Sequence, residues 1–169
     1  MPRADLDLHF NRIELLVTEM DSFVPISLSG STQFRADLAG LLVVTMAASY
    51  ETCVKETMVS HASKHHIAFG KFTLNNYNKL NSKVALGDLY RYATLFDDAV
   101  SAKFKAALAK RKKVINDRIG KNIERSYQQI LDWRHAFAHA GIRSATIEEA
   151  ISTHRLAKRV LYSFDEAFN

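Results

Sequence analysis

The sequence predicts an all-α protein: one helical bundle of four to six helices with an antiparallel up-and-down core and an irregular insertion near 67–87. Three observations lead there. Only two prolines and six glycines occur in 169 residues, which leaves room for long uninterrupted helices. Apolar residues recur at three- and four-residue intervals along most of the chain, and the period-two alternation of strands is nearly absent. The length suits a single domain, 1–169, with a core large enough to need neither disulfide nor metal.

Residues 4–22 read as a first helix on Leu8, Ile13, Leu15, Leu16 and Met20. Pro25 and Gly30 then break regular helix between Val24 and Ser31. Thr32 is placed to cap a long second helix ending near His61. Its middle, Leu41 to Ala48, is apolar nearly all round, the pattern of a helix at the centre of a bundle. Further on, Glu51 and Lys55 stand at i, i+4 in the favourable order for an ion pair. His61, His65 and His66 crowd the helix end. His61 and His65 have metal-pair spacing, but no acidic or thiolate third ligand lies beside them, so a polar helix terminus is the reading taken.

The helical period disappears from Ile67 to Ser82, and Asn75-Asn76-Tyr77-Asn78 reads as turn or loop. Tyr77, Tyr90 and Tyr92, with Lys79, Lys83 and Arg91 nearby, either pack the bundle edge or stack on RNA. Asp88 to Lys112 reads as one helix with Leu89, Tyr92, Leu95, Phe96, Val100, Phe104 and Leu108 along one side. Gly120 marks a kink or a connection. A further helix, about Lys121 to Ala140, aligns Ile123, Tyr127, Ile130, Arg134 and Phe137, with Gly141 as its C-terminal stop. The last helix opens on the capping box Thr146-Ile147-Glu148-Glu149. It then keeps Ile147, Ala150, Ile151, His154, Ala157, Val160, Leu161, Phe164 and Phe168 on one face.

The composition also bounds function. The single Cys53 rules out an internal disulfide framework and fits a reducing compartment. Met1-Pro2-Arg3-Ala4-Asp5 has no apolar run behind it, and the Leu38–Ala48 apolar run is short of the roughly 20 residues that span a bilayer. A cytoplasmic protein with no membrane partner is expected. No P-loop or GxGxxG motif occurs. The net charge of +5 is uneven: Lys103 to Arg125 holds nine basic residues against Asp117 and Glu124, leaving a net of −2 elsewhere. Lys110, Arg111, Lys112, Lys113, Arg118 and Lys121 are therefore candidates for guiding RNA, though a solvated helix face explains the block as well.

The densest chemistry lies in Trp133-Arg134-His135-Ala136-Phe137-Ala138-His139-Ala140-Gly141. Arginine is a permanent planar donor to phosphate oxygens, and histidine titrates near working pH. These are the residue types that metal-free RNA cleavage needs for charge stabilisation and proton transfer. Five residues along a straight helix subtend about 500°, so Arg134 and His139 point roughly 140° apart. They converge only if the helix ends or distorts near Ala138 to Gly141, or if two protomers complete one site.

Arg134, four residues and His139, with polar His135 in second place, resembles the Arg-x4-His motif of the HEPN superfamily of small helical domains. Glu51 to Glu56 is similar to the Glu-x-x-x-Lys-Asp signature on an early HEPN helix, with Glu56 where aspartate is usual. The resemblance implies a metal-independent endoribonuclease without cofactor, dimeric so that two motifs line a common cleft. It implies His139 as general acid/base, Arg134 stabilising the transition state, His135 orienting or binding phosphate, and Glu51 and Lys55 in support. It further implies a toxin or anti-phage effector with a cognate antitoxin or sensor. Other readings stay open: a catalytically inactive HEPN-like module binding RNA or a protein, or polar groups satisfied in an unrelated bundle. His135 and His139 also form an i, i+4 metal pair that His154 or Asp132 would have to complete; no Glu follows His135, so a HExxH protease is excluded.

Overall fold

In a computed structural model, residues 3–28 and 30–169 are described. Met1 and Pro2, in the segment read as lacking a leader, and Ser29, within the expected break, lie outside them. The described residues form seven helices and no strand. These are α1 (Arg3–Phe23), α2 (Thr32–His65), α3 (Ile67–Asn76), α4 (Leu86–Phe96), α5 (Asp98–Ile119), α6 (Ile123–Ala140) and α7 (Ile147–Phe168). The all-α bundle is as expected, with more helices than the four to six anticipated.

Two departures account for the extra helices. Residues 67–76, expected to be irregular, are helical; only the segment between α3 and α4 is not. The pattern of α3 is inverted. Its inner face is Gly70 and Thr73, while Ile67, Phe69, Phe72 and Leu74 stand exposed. Gly70 lets the helix close on α2, since a Cβ there would sit 2.1 Å from the Ser63 hydroxyl. A reading that seeks large residues on the buried side therefore finds no period. The second departure is the expected Asp88–Lys112 helix, which divides at Asp97. That side chain accepts the Ala99 N–H at 2.6 Å and starts α5 afresh. Within α4 the buried residues are Leu89, Tyr92 and Ala93, so Leu95, expected on the buried stripe, is 65% exposed.

Helix α1 also turns on a different stripe. Leu6, Phe10 and Ile13 are buried, whereas Leu8 and Leu15 face outward. Ser31 rather than Thr32 precedes α2, and its hydroxyl donates to the Leu28 carbonyl instead of capping the helix. Across the break between α1 and α2, Arg35 donates to the Val24 carbonyl at 2.5 Å, Asp21 at 2.9 Å and Glu148 at 2.5 Å. One guanidinium thus clips the end of α1 and the start of α7 to α2.

Helix α2 packs against α1, α3, α6 and α7. By length and composition alone it could cross a membrane, but half of its most apolar window is buried within the bundle. Every residue named on the apolar face of α7 is buried, and the Thr146–Glu149 capping box closes at 3.1 Å and 2.9 Å. Helix α7 also packs against α5 and α6, so α2 and α7 are the axis of the core. Gly120, in left-handed conformation (φ 65°), ends α5 and connects it to α6.

Candidate active site

Helices α2 and α6 meet where Phe137 lies against Gly40. A Cβ on Gly40 would stand 2.1 Å from the Phe137 ring, so glycine is what lets α6 approach α2 this closely. One turn before Phe137, Arg134 faces a cavity of about 540 Å³ between α2 and the α3–α4 loop. Glu51, Thr52 and Lys55 of α2 share its wall, and Asn78, Lys79, Asn81 and Ser82 close it from the loop side. A smaller adjoining cavity of about 230 Å³ shares Arg134, Glu51 and Ser82 and adds His135, Asp132 and Gln128.

The structure therefore brings together Arg134, His135, Glu51 and Lys55, four of the five expected site residues. It does not bring His139 to them. Helix α6 stays regular through Ala140 and closes on a left-handed glycine cap. Gly141 (φ 62°) donates to Phe137 at 2.9 Å and Ile142 to Ala136 at 3.3 Å. The glycine stop thus comes too late to turn His139 toward Arg134. His139 is exposed, lines neither cavity, and touches the His135 ring at a centroid separation of 4.5 Å.

Arg134 is half-buried and has no hydrogen-bonded or ion-paired partner among the described residues. Glu51 and Lys55 are also half-buried and form no ion pair with each other there, contrary to the spacing argument. Both line the Arg134 cavity instead. Glu56 points elsewhere, 2.8 Å from the His9 ring of α1. Two basic side chains, Arg134 and Lys55, thus face one cavity with a single carboxylate, an arrangement suited to phosphate oxygens.

The other candidates fall away from this cavity. Arg111 pairs with Glu166, and Lys112 with Glu124 at 2.6 Å, so two of the six basic-patch residues are engaged within the fold. Lys110, Lys113, Arg118 and Lys121 remain exposed. They lie along the second half of α5 and just before α6, and none of them lines the Arg134 cavity. His61 donates from Nδ1 to the Phe168 carbonyl at 2.6 Å, and burial lowers its pKa. His154, weighed as a metal ligand, is fully buried with Nδ1 2.8 Å from the Tyr50 hydroxyl. Cys53 is buried too, and burial pushes its thiol pKa up, so it is no ready nucleophile.

Sequence reading missed the loop wall. Of the tyrosines expected to pack the bundle edge or stack on RNA, Tyr77 and Tyr92 hold that loop in place and Tyr90 packs on Phe104 instead, while Tyr127 of α6 adds a further tie. Tyr92 donates to the Lys83 carbonyl at 2.9 Å, and Tyr127 donates to the Val84 carbonyl at 2.7 Å. Tyr77 packs edge-on against Tyr92. The asparagine-rich run is the available signal, but by itself it specifies only a turn.

A seven-helix bundle with an Arg-x4-His segment beside a Glu-x-x-x-Lys helix defines a HEPN-type domain. The comparison with protein families gives the particular one: the RiboL-PSP-HEPN family model matches residues 8–169, and the chain belongs to that family. No curated protein and no solved structure matched the chain.

Proposed function

We propose that the protein is a metal-independent endoribonuclease whose active site is completed by a second copy of the chain. One observation carries this reading: Arg134 and Lys55 share a cavity open to a phosphate, while His139 projects from the same helix outside it. Each chain thus supplies an electrostatic half-site and, separately, a proton-transfer group. Packing two copies with their α6 ends together joins the halves. In that site the 2′-hydroxyl attacks the adjacent phosphorus and the 5′-oxygen leaves. His139 moves the protons, and Arg134 holds the charge that builds on the equatorial oxygens. His135 adds a phosphate contact, while Glu51 and Lys55 hold the local field.

Membership of the family supports a role in RNA or nucleotide chemistry. A toxin or anti-phage effector in the cytoplasm, restrained by an antitoxin or triggered by a sensor, is the setting this activity fits. The separation of His139 from Arg134 within one chain also favours a second reading, a catalytically inactive module that binds RNA or a protein.

Incubating the purified protein with tRNA and mRNA in EDTA separates the two. Wild type should yield fragments ending in 2′,3′-cyclic phosphate, and His139→Ala and Arg134→Ala should each lower the rate by about 10²-fold or more. Undiminished cleavage by His139→Ala would remove the proposed chemistry, and no cleavage by a dimeric wild type would favour the binding module. In the same assay, neutralising Lys110, Lys113, Arg118 and Lys121 should flatten the salt dependence if they guide RNA. An unchanged slope assigns them to a solvated surface.

A further inference from the structure

The loop wall of the Arg134 cavity has no part in the cleavage step, yet it is built rather than merely present. Leu80 is buried, the Lys83 N–H donates to the Leu80 carbonyl at 2.9 Å, and the Val84 N–H donates to the Ser82 carbonyl at 3.0 Å. Tyr92 and Tyr127 then fix the next two carbonyls, Lys83 and Val84. Tyr127 lies on α6, two turns before Arg134, and stacks on Tyr50 of α2 at 5.3 Å. The loop is therefore tied to both helices that form the opposite wall. Within it, Asn81 (φ 52°) and Ser82 (φ 63°) hold consecutive left-handed conformations, an uncommon state for residues other than glycine.

We propose that Asn78, Asn81 and Ser82 form a base-reading subsite for a single unpaired nucleotide, whose phosphate is held across the cavity by Arg134 and Lys55. The two walls differ in the way a nucleotide's two ends differ. The helix wall offers the Arg134 guanidinium and the Lys55 amine for a phosphate. The loop wall offers two amides and a hydroxyl, each both donor and acceptor, which is what the edge of a base presents in return. Val44, Ala48 and Leu80 supply apolar surface between them for the base face. The volume of about 540 Å³ falls within the range of about 300–1,000 Å³ typical of small-ligand sites. Lys79, also on the loop wall, would add attraction for any nucleotide anion without preference for a base.

This subsite rests on the ribonuclease reading for its purpose but is tested by binding. Calorimetric titration of the intact protein uses the four nucleoside 3′-monophosphates, with His139→Ala as a second background. Wild type and His139→Ala should both prefer one base over the weakest by roughly fivefold or more. Asn78→Ala and Asn81→Gly should bring the four affinities within about twofold, and glycine at 81 keeps the left-handed backbone. Lys79→Ala should weaken all four alike. Equal binding of the four bases by wild type, a preference that survives both asparagine variants, or no binding at millimolar ligand would each overturn the subsite. The two readings separate cleanly. RNA cleavage without base preference sinks the subsite alone, whereas base preference without cleavage sinks the nuclease and leaves the subsite standing.

Discussion

Arg134 and His154 are both polar side chains on buried helical stripes, and the fold treats them oppositely. Arg134 reaches a cavity and keeps water access. His154 is sealed between α2 and α1, stacked beside Tyr50 and edge-on to Phe10, with Nε2 left without a partner. Burial pulls its pKa from 6.5 to about 3; the Lys158 and Arg155 cations push the same way and Glu14 opposes them. The unfolded chain takes up this proton below about pH 6.5 and the folded chain does not. The stability from neutral His154 is thus fully present above that pH and is lost as pH falls toward 3. The slope it contributes is about 1.4 kcal/mol per pH unit. Urea unfolding between pH 7 and pH 4.5 should show this slope in wild type and its loss in His154→Phe. A variant with the wild-type slope would acquit His154. The sequence placed His154 correctly on the apolar face, because helical period reports burial. It gave no sign of the Tyr50 partner, because that contact joins residues 104 apart. The same limit hid the loop wall of the site: Asn78 to Ser82 meet Arg134 only through tertiary folding.

Among the elements, α7 was legible to the residue and α3 not at all, for one physical reason. Sequence period reports where large apolar groups are buried, and α7 buries them on a single face. Helix α3 instead packs through Gly70 and Thr73, where closeness of approach replaces side-chain bulk. The break at Asp97 did carry a signal, Asp97-Asp98 at a helix start, but an apolar stripe running past it on both sides masked it. The α2–α6 contact repeats the small-residue theme at the site itself. Gly40 looked like an ordinary member of an apolar run, yet it seats Phe137, which lies between Arg134 and His139 in the chain. Gly40→Ala should cost about 1–3 kcal/mol through overpacking and lower RNA cleavage by displacing the motif. Phe137→Leu in the same chain should restore part of both losses. A double-mutant cycle would show coupling of about 0.5 kcal/mol or more between these contacting positions. Additive losses would mean that α6 adjusts elsewhere and that this contact does not set the motif's position.

For the whole molecule, the bundle separates three properties onto different surfaces. The core axis of α2 and α7 gives rigidity, the α5–α6 corner carries exposed positive charge, and the α2–α6 face holds the Arg134 cavity. His139 lies at the exposed end of that last face, where a regular helix keeps it turned from Arg134. A cleft shared by two copies predicts a result that no single-chain site reproduces. In a symmetric pair, each composite site takes Arg134 from one protomer and His139 from its partner. A dimer joining an Arg134→Ala chain to a His139→Ala chain then has one site with both groups and one with neither. Random pairing of the two inactive variants should restore about a quarter of wild-type cleavage, since half the dimers are mixed and each keeps one of two sites. Co-expression of the variants with different tags, purification through both tags and assay on tRNA in EDTA measure this directly, with about half of wild-type activity expected for the isolated mixed dimer. No recovery would mean that the two groups act from one chain, which the unbroken α6 allows only if its last turn unwinds on binding RNA.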